Sequence, residues 1–163
     1  MSKNGLGRIA IIGAGPGGLT LARILQLKGV EITVYERETS IDARSQGGSL
    51  DLHDDSGQYA LRIAELYDKA QGLFRPEGQD TRIIDKSGVV HYDEVVQDTD
   101  FGRPEIDRGD LRQLLLDSLK PNTIVQDHNL QSVESLSNGQ YKLMFSNGVT
   151  DTVDLVIGAD GAW

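Results

Sequence analysis

Apolar residues near the N-terminus alternate between short continuous runs and a helical spacing. Residues 9–12 (Ile-Ala-Ile-Ile) form a run that ends in glycines, which is typical of a buried parallel strand. Pro16 to Lys28 spaces its apolar residues along one helix face, and Gly29 is suited to end that helix. Val30 to Tyr35 is a second apolar strand. This order predicts a βαβ unit and therefore a parallel sheet.

The middle of the chain is more polar and predicts shorter elements. We expect a loop over residues 36–46, a short strand over residues 49–52, and a helix that begins near Asp54-Asp55-Ser56 and runs to about Lys69. Lys86-Ser87-Gly88 separates two apolar segments, which predicts a hairpin of Thr81–Asp85 with Val89–Tyr92. Residues 95–104 show no regular pattern.

The last third predicts one helix followed by strands. Leu111, Leu114, Leu115 and Leu119 share a face of a helix over residues 108–119. Four strands follow, over residues 123–126, 130–136, 140–146 and 149–157, and two Ser-Asn-Gly turns join the last three. The pattern as a whole predicts an α/β, Rossmann-like fold with a parallel sheet and an antiparallel β-meander. Because an apolar strand ending in Gly-Ala-Asp-Gly normally leads onward, we expect a fragment, or a chain whose remainder is missing from the sequence.

Composition narrows the class of protein. The chain has 163 residues, of which 38% are hydrophobic and 25% charged, as in an ordinary globular domain. It has no cysteine, which excludes disulfides, thiolate zinc sites, iron–sulfur clusters and a cysteine nucleophile. A net charge of −9 argues against a nucleic-acid partner or an anionic membrane surface. The apolar segment at residues 8–27 is interrupted by glycines, so we expect a cytoplasmic protein without a membrane span or signal peptide.

The glycines at residues 13–18 (Gly-Ala-Gly-Pro-Gly-Gly) fit the G-x-G-x-x-G pattern between the first strand and the first helix. Gly13 permits the tight turn, Gly15 lets a pyrophosphate approach the backbone, and Gly18 allows close helix–strand packing. The helix N-terminus then stabilises the anion. Alone, the pattern is also compatible with a glycine-rich turn that binds nothing.

Glu36 strengthens the dinucleotide interpretation. It ends the second strand, where a carboxylate can accept hydrogen bonds from both ribose hydroxyls of a dinucleotide. An acid at this position disfavours a 2′-phosphate, so FAD or NAD fits this pocket and NADP does not.

Several further positions have both a binding and a plain structural interpretation. Arg37 can stack on an adenine or lie in solvent. Arg44 with Gly47 and Gly48 suggests backbone passing a flat ligand, or a loop hinge. Asp51 points away from the face of its two leucine neighbours and can also be a simple solvated carboxylate.

Arg108 and Arg112 share a helix face, where one of them can reach a phosphate or a ribityl chain. The alternative is a surface laced with salt bridges to Asp107 and Asp110. His91 and His128 lack metal-ligand spacing, so we expect solvated loop histidines.

These segments resemble a known family. The glycine motif, Glu36-Arg37, the helix start at Arg108 and the terminal Gly-Ala-Asp160-Gly161 are similar to the N-terminal FAD-binding part of class A (p-hydroxybenzoate hydroxylase-type) flavoprotein monooxygenases. Residues 34–37, 43–44, 47–53, 56–58 and 104–108 are similar, more specifically, to the Tet(X)-type tetracycline-inactivating monooxygenases. The resemblance extends over the whole chain.

The resemblance implies roles for individual residues. Gly13, Gly15 and Gly18 would hold the FAD pyrophosphate, and Glu36 the adenosine ribose. Asp51 and Arg108 would contact FAD, with Arg112 as a weaker candidate, and Arg44 would meet NADPH. Asp160 and Gly161 fall on a motif that this family uses for both FAD and NADPH. The family has no separate Rossmann domain for NADPH, which removes the apparent conflict with Glu36.

The resemblance also implies an activity: NADPH reduces the flavin, oxygen is captured as a flavin hydroperoxide, and an electron-rich, tetracycline-like polycyclic aromatic substrate is hydroxylated. The cofactor performs this chemistry, so no catalytic side chain and no metal site are assigned. Small-molecule substrate and oxygen are the expected partners of a monomer. Residues 1–163 would form the FAD-binding domain without the later FAD segment and the substrate domain. The alternatives are a monooxygenase or halogenase for another phenolic compound, and a non-catalytic FAD-binding fragment.

Overall fold

The computed structural model describes residues 7–40, 47–97 and 101–161, and every structural statement below concerns these residues. Its strands, in chain order, are β1 (Ile9–Ile12), β2 (Ile32–Tyr35), β3 (Ser49–Asp51), β4 (Phe74–Arg75), β5 (Thr81–Ile84), β6 (Val90–Glu94), β7 (Glu105–Asp107), β8 (Ile124–Val125), β9 (Leu130–Ser135), β10 (Tyr141–Phe145), β11 (Thr150–Val153) and β12 (Leu155–Gly158). Its helices are α1 (Pro16–Leu27), α2 (Gly57–Ile63), α3 (Tyr67–Gln71), α4 (Arg108–Asp117) and a 3₁₀ helix (Pro76–Gln79).

The chain divides into two compact units, one made of residues 1–46 and 115–163 and the other of residues 47–114. The first unit contains a parallel sheet in the order β12-β1-β2-β8, with α1 packed against β1 and β2. Gly29, at a φ of 72°, follows the last turn of α1. The predicted α/β, Rossmann-like class and the βαβ unit are therefore confirmed.

An antiparallel meander of β9, β10 and β11 covers one face of the parallel sheet. The sheet contributes Ala10, Ile12 and Tyr35 to the shared core. The meander contributes Leu143, Phe145 and Val153, each at most 4% exposed. Successive side chains of a strand point to opposite faces, so Ala10 and Ile12 of β1 share one face and Leu143 and Phe145 of β10 share the face that packs against it.

The predicted strand over residues 149–157 is two strands, and the break lies at Asp154. The N–H groups of Asp154 and Leu155 both donate to the Arg8 carbonyl, while an Asp154 carboxylate oxygen accepts from the Arg8 N–H at 2.6 Å. These bonds turn the chain from the antiparallel meander into the parallel sheet. Leu155 is 45% exposed, so the apolar run at residues 155–157 is not fully buried.

The second unit is built around an antiparallel sheet in the order β3-β7-β4. Leu50, Ile106 and Phe74 lie opposite one another on its apolar face, and Asp51, Glu105 and Arg75 lie opposite one another on its polar face. The predicted hairpin forms from β5 and β6.

The single helix predicted from Asp54 to Lys69 is interrupted, and α2 and α3 replace it. Glu65 takes a left-handed φ of 57°, the Leu66 N–H donates to the Leu61 carbonyl, and the Glu65 N–H donates to the Arg62 carbonyl. This is a Schellman helix end, in which glycine usually occupies the left-handed position. Here Glu65 takes the left-handed conformation, because this helix end allows Leu61 and Leu66 to be buried. Since no glycine marks the position, the sequence does not indicate that the helix is interrupted.

Candidate functional site

The glycine turn between β1 and α1 combines two tightly packed glycines with one that faces open space. Gly13 has a φ of 106°, and its N–H donates to the Tyr35 carbonyl at 2.8 Å. A Cβ on Gly18 would collide with the Gly13 carbonyl oxygen. A Cβ on Gly15 would meet no atom within 4 Å. The two glycines thus differ as the sequence predicts: Gly15 leaves room for a ligand, and Gly18 allows close packing.

The start of α1 is suited to an anion. Gly15 caps the helix without a side-chain hydrogen bond, Pro16 is the first helical residue, and no acidic residue lies in the first turn. The positive end of the helix dipole is therefore not neutralised by a side chain of that turn.

The half-buried Glu36 carboxylate lies beside this turn, where the sequence predicts it. One of its oxygens accepts from the Ala14 N–H at 2.7 Å and the other from the Glu38 N–H at 3.1 Å. A carboxylate has about four acceptor positions, so each oxygen keeps capacity for a hydroxyl donor. The two backbone bonds fix the group within the turn.

The segment that follows β12 contributes backbone at the same end of the parallel sheet as the glycine turn. Asp160 and Gly161 follow β12, and a Cβ on Gly13 would collide with the backbone of Ala159 and Asp160. Gly161 has a φ of 90°. The first unit thus brings the glycine turn and the Asp160 segment together. Arg37 is exposed, and its Nε lies 3.5 Å from a carboxylate oxygen of Glu38.

In the second unit, the double glycine meets the start of α4. The Gly48 carbonyl accepts from the Arg108 N–H at 3.1 Å, and Gly48 has a φ of 85°. A Cβ on Gly47 or Gly48 would meet nothing within 4 Å. Asp51 ends β3 and its side chain is 46% exposed. Arg44 lies outside the described residues.

Arg112 of α4 does not lie on an exposed face of the helix. Arg112 is only 6% exposed, and Asp107 forms its ion pair with Arg75 at 3.3 Å. The surface interpretation is therefore wrong for Arg112. The Nε of Arg108 is buried and has no hydrogen-bond partner within the described part of the chain. Since an unpaired buried donor costs about 1–3 kcal/mol, this atom is suited to meet an acceptor on a ligand.

These observations test whether FAD fits. The open space at Gly15, the uncompensated start of α1 and the Glu36 carboxylate match a pyrophosphate and a ribose. The residues of the first unit therefore fit the adenosine end of FAD. In the second unit, taken by itself, the Arg108 Nε has no partner among the described residues and can donate to an acceptor. Within residues 7–40, 47–97 and 101–161, no cluster of three His, Cys, Asp or Glu side chains is arranged to hold a metal ion.

The sequence pattern does not indicate the aromatic cluster that lies next to Glu36. The rings of Tyr35 and Phe145 lie 4.7 Å apart, and the His128 ring lies 4.8 Å from Phe145. His128 Nδ1 lies 2.6 Å from the Gln126 carbonyl oxygen, and the His128 backbone N–H donates to the Glu36 carbonyl. His128 is thus a packed residue, and the prediction of a solvated histidine is wrong for it. His91 is solvated, since its side chain is 58% exposed, but it lies in β6 and not in a loop.

Tyr35 belongs to a charged network with Asp151 and Arg8. Its hydroxyl donates to Asp151 at 2.5 Å, and Arg8 Nη2 donates to the same oxygen at 2.7 Å. Burial, followed by the hydrogen bond to Asp151, raises the pKa of Tyr35 above its ordinary value. Burial opposes ionisation of Asp151, but hydrogen bonds from Tyr35 and Arg8 outweigh it and hold its pKa below the ordinary value. Only the non-local fold brings these three residues together.

Buried glutamines were also missed. Gln58 and Gln79 are 1% and 3% exposed, and both hydrogen-bond to loop backbone. A glutamine in a polar segment gives no periodic signal, so the sequence does not distinguish such a residue from a solvated one. In the described segments, no helix is both long and apolar enough to cross a membrane.

Comparison with known proteins gives consistent matches. The family described as NAD(P)-binding Rossmann-like domain matches residues 11–75. The monooxygenase penA of Penicillium thymicola is 35% identical over 100% of this chain and 40% of its own length. The chain therefore spans about two fifths of the length of the curated relatives it matches.

Solved structures agree in fold. The tetracycline destructase Tet(51) matches with a TM-score of 0.71 and 27% identity, over 94% of this chain and 38% of its own. An FAD-containing monooxygenase structure from Photorhabdus luminescens matches with a TM-score of 0.77 and 30% identity, over 95% of this chain and 39% of its own. The predicted resemblance to flavoprotein monooxygenases, with Tet-type proteins among the neighbours, is confirmed.

Proposed function

The chain is a homologue of flavin-dependent monooxygenases, and from this premise we propose that residues 1–163 form an FAD-binding domain of such an enzyme. The observation that carries the proposal is the glycine turn, which leaves open space at Gly15 at the start of α1 and beside the Glu36 carboxylate. A dinucleotide needs both features, since its pyrophosphate must approach backbone and its ribose needs an acceptor.

The first unit would hold the adenosine end of FAD. Gly13, Gly15 and Gly18 shape the turn that receives the pyrophosphate, and the N-terminus of α1 stabilises its charge. Glu36 accepts hydrogen bonds from ribose hydroxyls, which are strengthened by its negative charge. Arg37, Asp160 and Gly161 complete the proposed set in this unit.

The second unit would contribute side chains. We propose that Asp51 and Arg108 contact FAD, because Asp51 is accessible and the Arg108 Nε lacks a partner in the described structure. Gly47 and Gly48 would let backbone approach the ligand, and Arg112 is a weaker candidate because its side chain is buried. The proposed contact of Arg44 with NADPH rests on the resemblance alone.

FAD, when bound, supplies the redox chemistry and the activation of oxygen. The protein residues named above bind and orient it, and none of them acts as a nucleophile or base. We propose NADPH as the reductant. Because Glu36 would repel a 2′-phosphate, NADPH would not occupy the turn at Gly13–Gly18.

The proposed substrate is a tetracycline-like polycyclic aromatic compound, with molecular oxygen as co-substrate. Similarity to Tet(51) supports this choice. Similarity to the 3-amino-4-hydroxybenzoate 2-monooxygenase PtmB3 of Streptomyces platensis, whose name specifies a phenolic substrate, supports another phenolic substrate as the alternative. We propose that the protein acts in the cytoplasm as a monomer.

FAD titration tests the cofactor proposal. The chain should quench flavin fluorescence on binding, and Glu36→Ala should weaken binding by about 1–3 kcal/mol through lost charge-assisted hydrogen bonds. Glu31→Ala is the control, since Glu31 is exposed at the opposite end of β2. Equal affinity in the Glu36 variant would mean that this carboxylate only caps backbone.

Oxidation of NADPH tests the activity. Stimulation by tetracycline would support the proposed substrate, and stimulation only by simpler phenols would support the alternative. FAD binding without any NADPH oxidation would instead favour the second candidate, a binding fragment without catalysis. The share of the relatives' length that the chain spans, about two fifths, is the observation that favours this candidate.

A further inference from the structure

Residues 101–103 (Phe-Gly-Arg) run between two buried glutamine side chains, and we call this segment the strap. Gln58 donates through Nε2 to the carbonyls of Leu52 and Phe101, both at 2.7 Å. Gln79 accepts from the Arg103 N–H at 2.7 Å. Because both amides are at most 3% exposed, water does not compete for these bonds. The strap is therefore fixed on both sides.

The strap immobilises the Arg103 guanidinium. Its Nη2 donates to the Gln79 carbonyl and to the Thr81 hydroxyl, both at 3.1 Å. With Nη2 held in this way, the other terminal nitrogen of the planar group, Nη1, faces Asp51 and lies 3.9 Å from its Oδ2. An arginine held at three points reaches this carboxylate at little further entropic cost.

The backbone next to Asp51 is tied to the same region. The Leu52 N–H donates to the Pro104 carbonyl at 2.9 Å, and the Leu52 carbonyl accepts from Gln58. Asp51 is thus held through its neighbour on the backbone side, and Arg103 faces its side chain. Its carboxylate keeps acceptor capacity, since one approaching cation does not occupy four acceptor positions.

We propose that Arg103 is a positioning residue that orients the Asp51 carboxylate to accept a hydrogen bond from FAD. The inference rests on the proposed function of Asp51. It adds a residue that neither the motif pattern nor the family resemblance singles out, because the contact arises from the strap. Arg103 itself does not touch FAD.

A double-mutant cycle on FAD affinity tests the inference. Arg103→Gln should weaken FAD binding about threefold, the effect of one half-exposed ion pair. Asp51→Asn should weaken it about tenfold. The double variant should bind no more weakly than Asp51→Asn, because Arg103 acts only through that carboxylate. Arg103→Lys should recover part of the loss.

The control is Arg82→Gln, which removes another arginine–aspartate ion pair of the second unit, Arg82 with Asp93 at 2.8 Å, and should leave FAD affinity unchanged. Thermal melting of each variant without FAD checks that the fold is retained.

Two results would overturn the inference while leaving the FAD site intact: wild-type affinity in Arg103→Gln, or losses that add in the double variant. If the unaltered chain binds no FAD, the proposed function fails and the inference fails with it.

Discussion

The two units prepare their parts of the proposed site by different means. In residues 1–46 and 115–163, the ligand-facing feature is backbone: a turn shaped by Gly13 and Gly18 with open space at Gly15. In residues 47–114, it is side chains: Asp51 lies near Arg103, and the Arg108 Nε has no partner among the residues that the structure describes. We therefore expect substitutions in the first unit to act by filling space that the backbone or the ligand occupies. Substitutions in the second unit should act by disturbing the orientation of ligand-binding side chains in small steps.

Of the substitutions considered, Gly18→Ala should change the stability of the first unit most. Gly18→Ala places a methyl group against the Gly13 carbonyl oxygen and 3.2 Å from the Ala159 Cβ, and the Gly13 backbone cannot yield easily. We expect about 3 kcal/mol of destabilisation, or a fall in Tm of about 10 °C. Gly17→Ala is the matched control, because a Cβ there meets nothing within 4 Å. Similar Tm values for the two variants would contradict the close packing at Gly18.

A second substitution in the same turn should separate binding from folding. Gly15→Val fills open space and keeps an extended φ of −78° and ψ of 173°, so the Tm without ligand should change by no more than about 2 °C. FAD affinity should fall at least about 100-fold, because the side chain occupies the position of the pyrophosphate. Isothermal titration beside thermal melting measures both quantities. Unchanged affinity would exclude the turn as the FAD site.

The second unit should respond through its buried amides. Gln58→Leu removes the donor to the carbonyls of Leu52 and Phe101 and should cost about 2 kcal/mol. Hydrogen exchange should accelerate in residues 47–114. The control is Gln26→Leu in the first unit, a half-buried glutamine that donates to the Thr123 hydroxyl and should cost less. Equal costs would mean that burial does not distinguish the two amides.

The same comparison explains how much the sequence predicts. The first unit follows from local signals, since β1, α1 and the turn between them are encoded within residues 9–28, and Glu36 lies where its strand ends. The second unit depends on contacts between distant residues. No periodic pattern marks the helix break at Glu65 or the strap at residues 101–103, because burial of neighbouring side chains determines the conformation at both places.

Even in the first unit, non-local contacts remain unpredicted. Tyr35 is predictable as a strand residue, but its hydrogen bond to Asp151 joins positions 116 residues apart. Likewise, the burial of Arg112 and the packing of His128 on Phe145 require the assembled fold. Chemical identity and local spacing thus indicate candidates, while tertiary structure decides which of them are buried, paired or accessible.

The two smallest predicted effects concern ion pairs and their pH dependence, and the larger of the two is expected in the Tyr35–Asp151–Arg8 network. Hydrogen bonds hold the pKa of Asp151 below its ordinary value in the folded protein, so this group contributes stability above about pH 4 that is lost as the pH falls through the folded pKa. Asp151→Asn lacks that contribution. Its Tm at neutral pH should therefore be lower than that of the wild type by about 2 °C, and the difference should shrink on acidification.

The equivalent change in the second unit is Asp93→Asn, which removes the exposed pair with Arg82. The pKa of Asp93 is also lowered, by its hydrogen bond from Arg82, so the sign of the pH dependence is the same. Because solvent screens this pair fully, the Tm difference at neutral pH should be smaller than for Asp151→Asn. Melting curves at several pH values measure both. If Asp93→Asn had the larger effect, the partly buried network next to Glu36 would not be the more strongly coupled of the two.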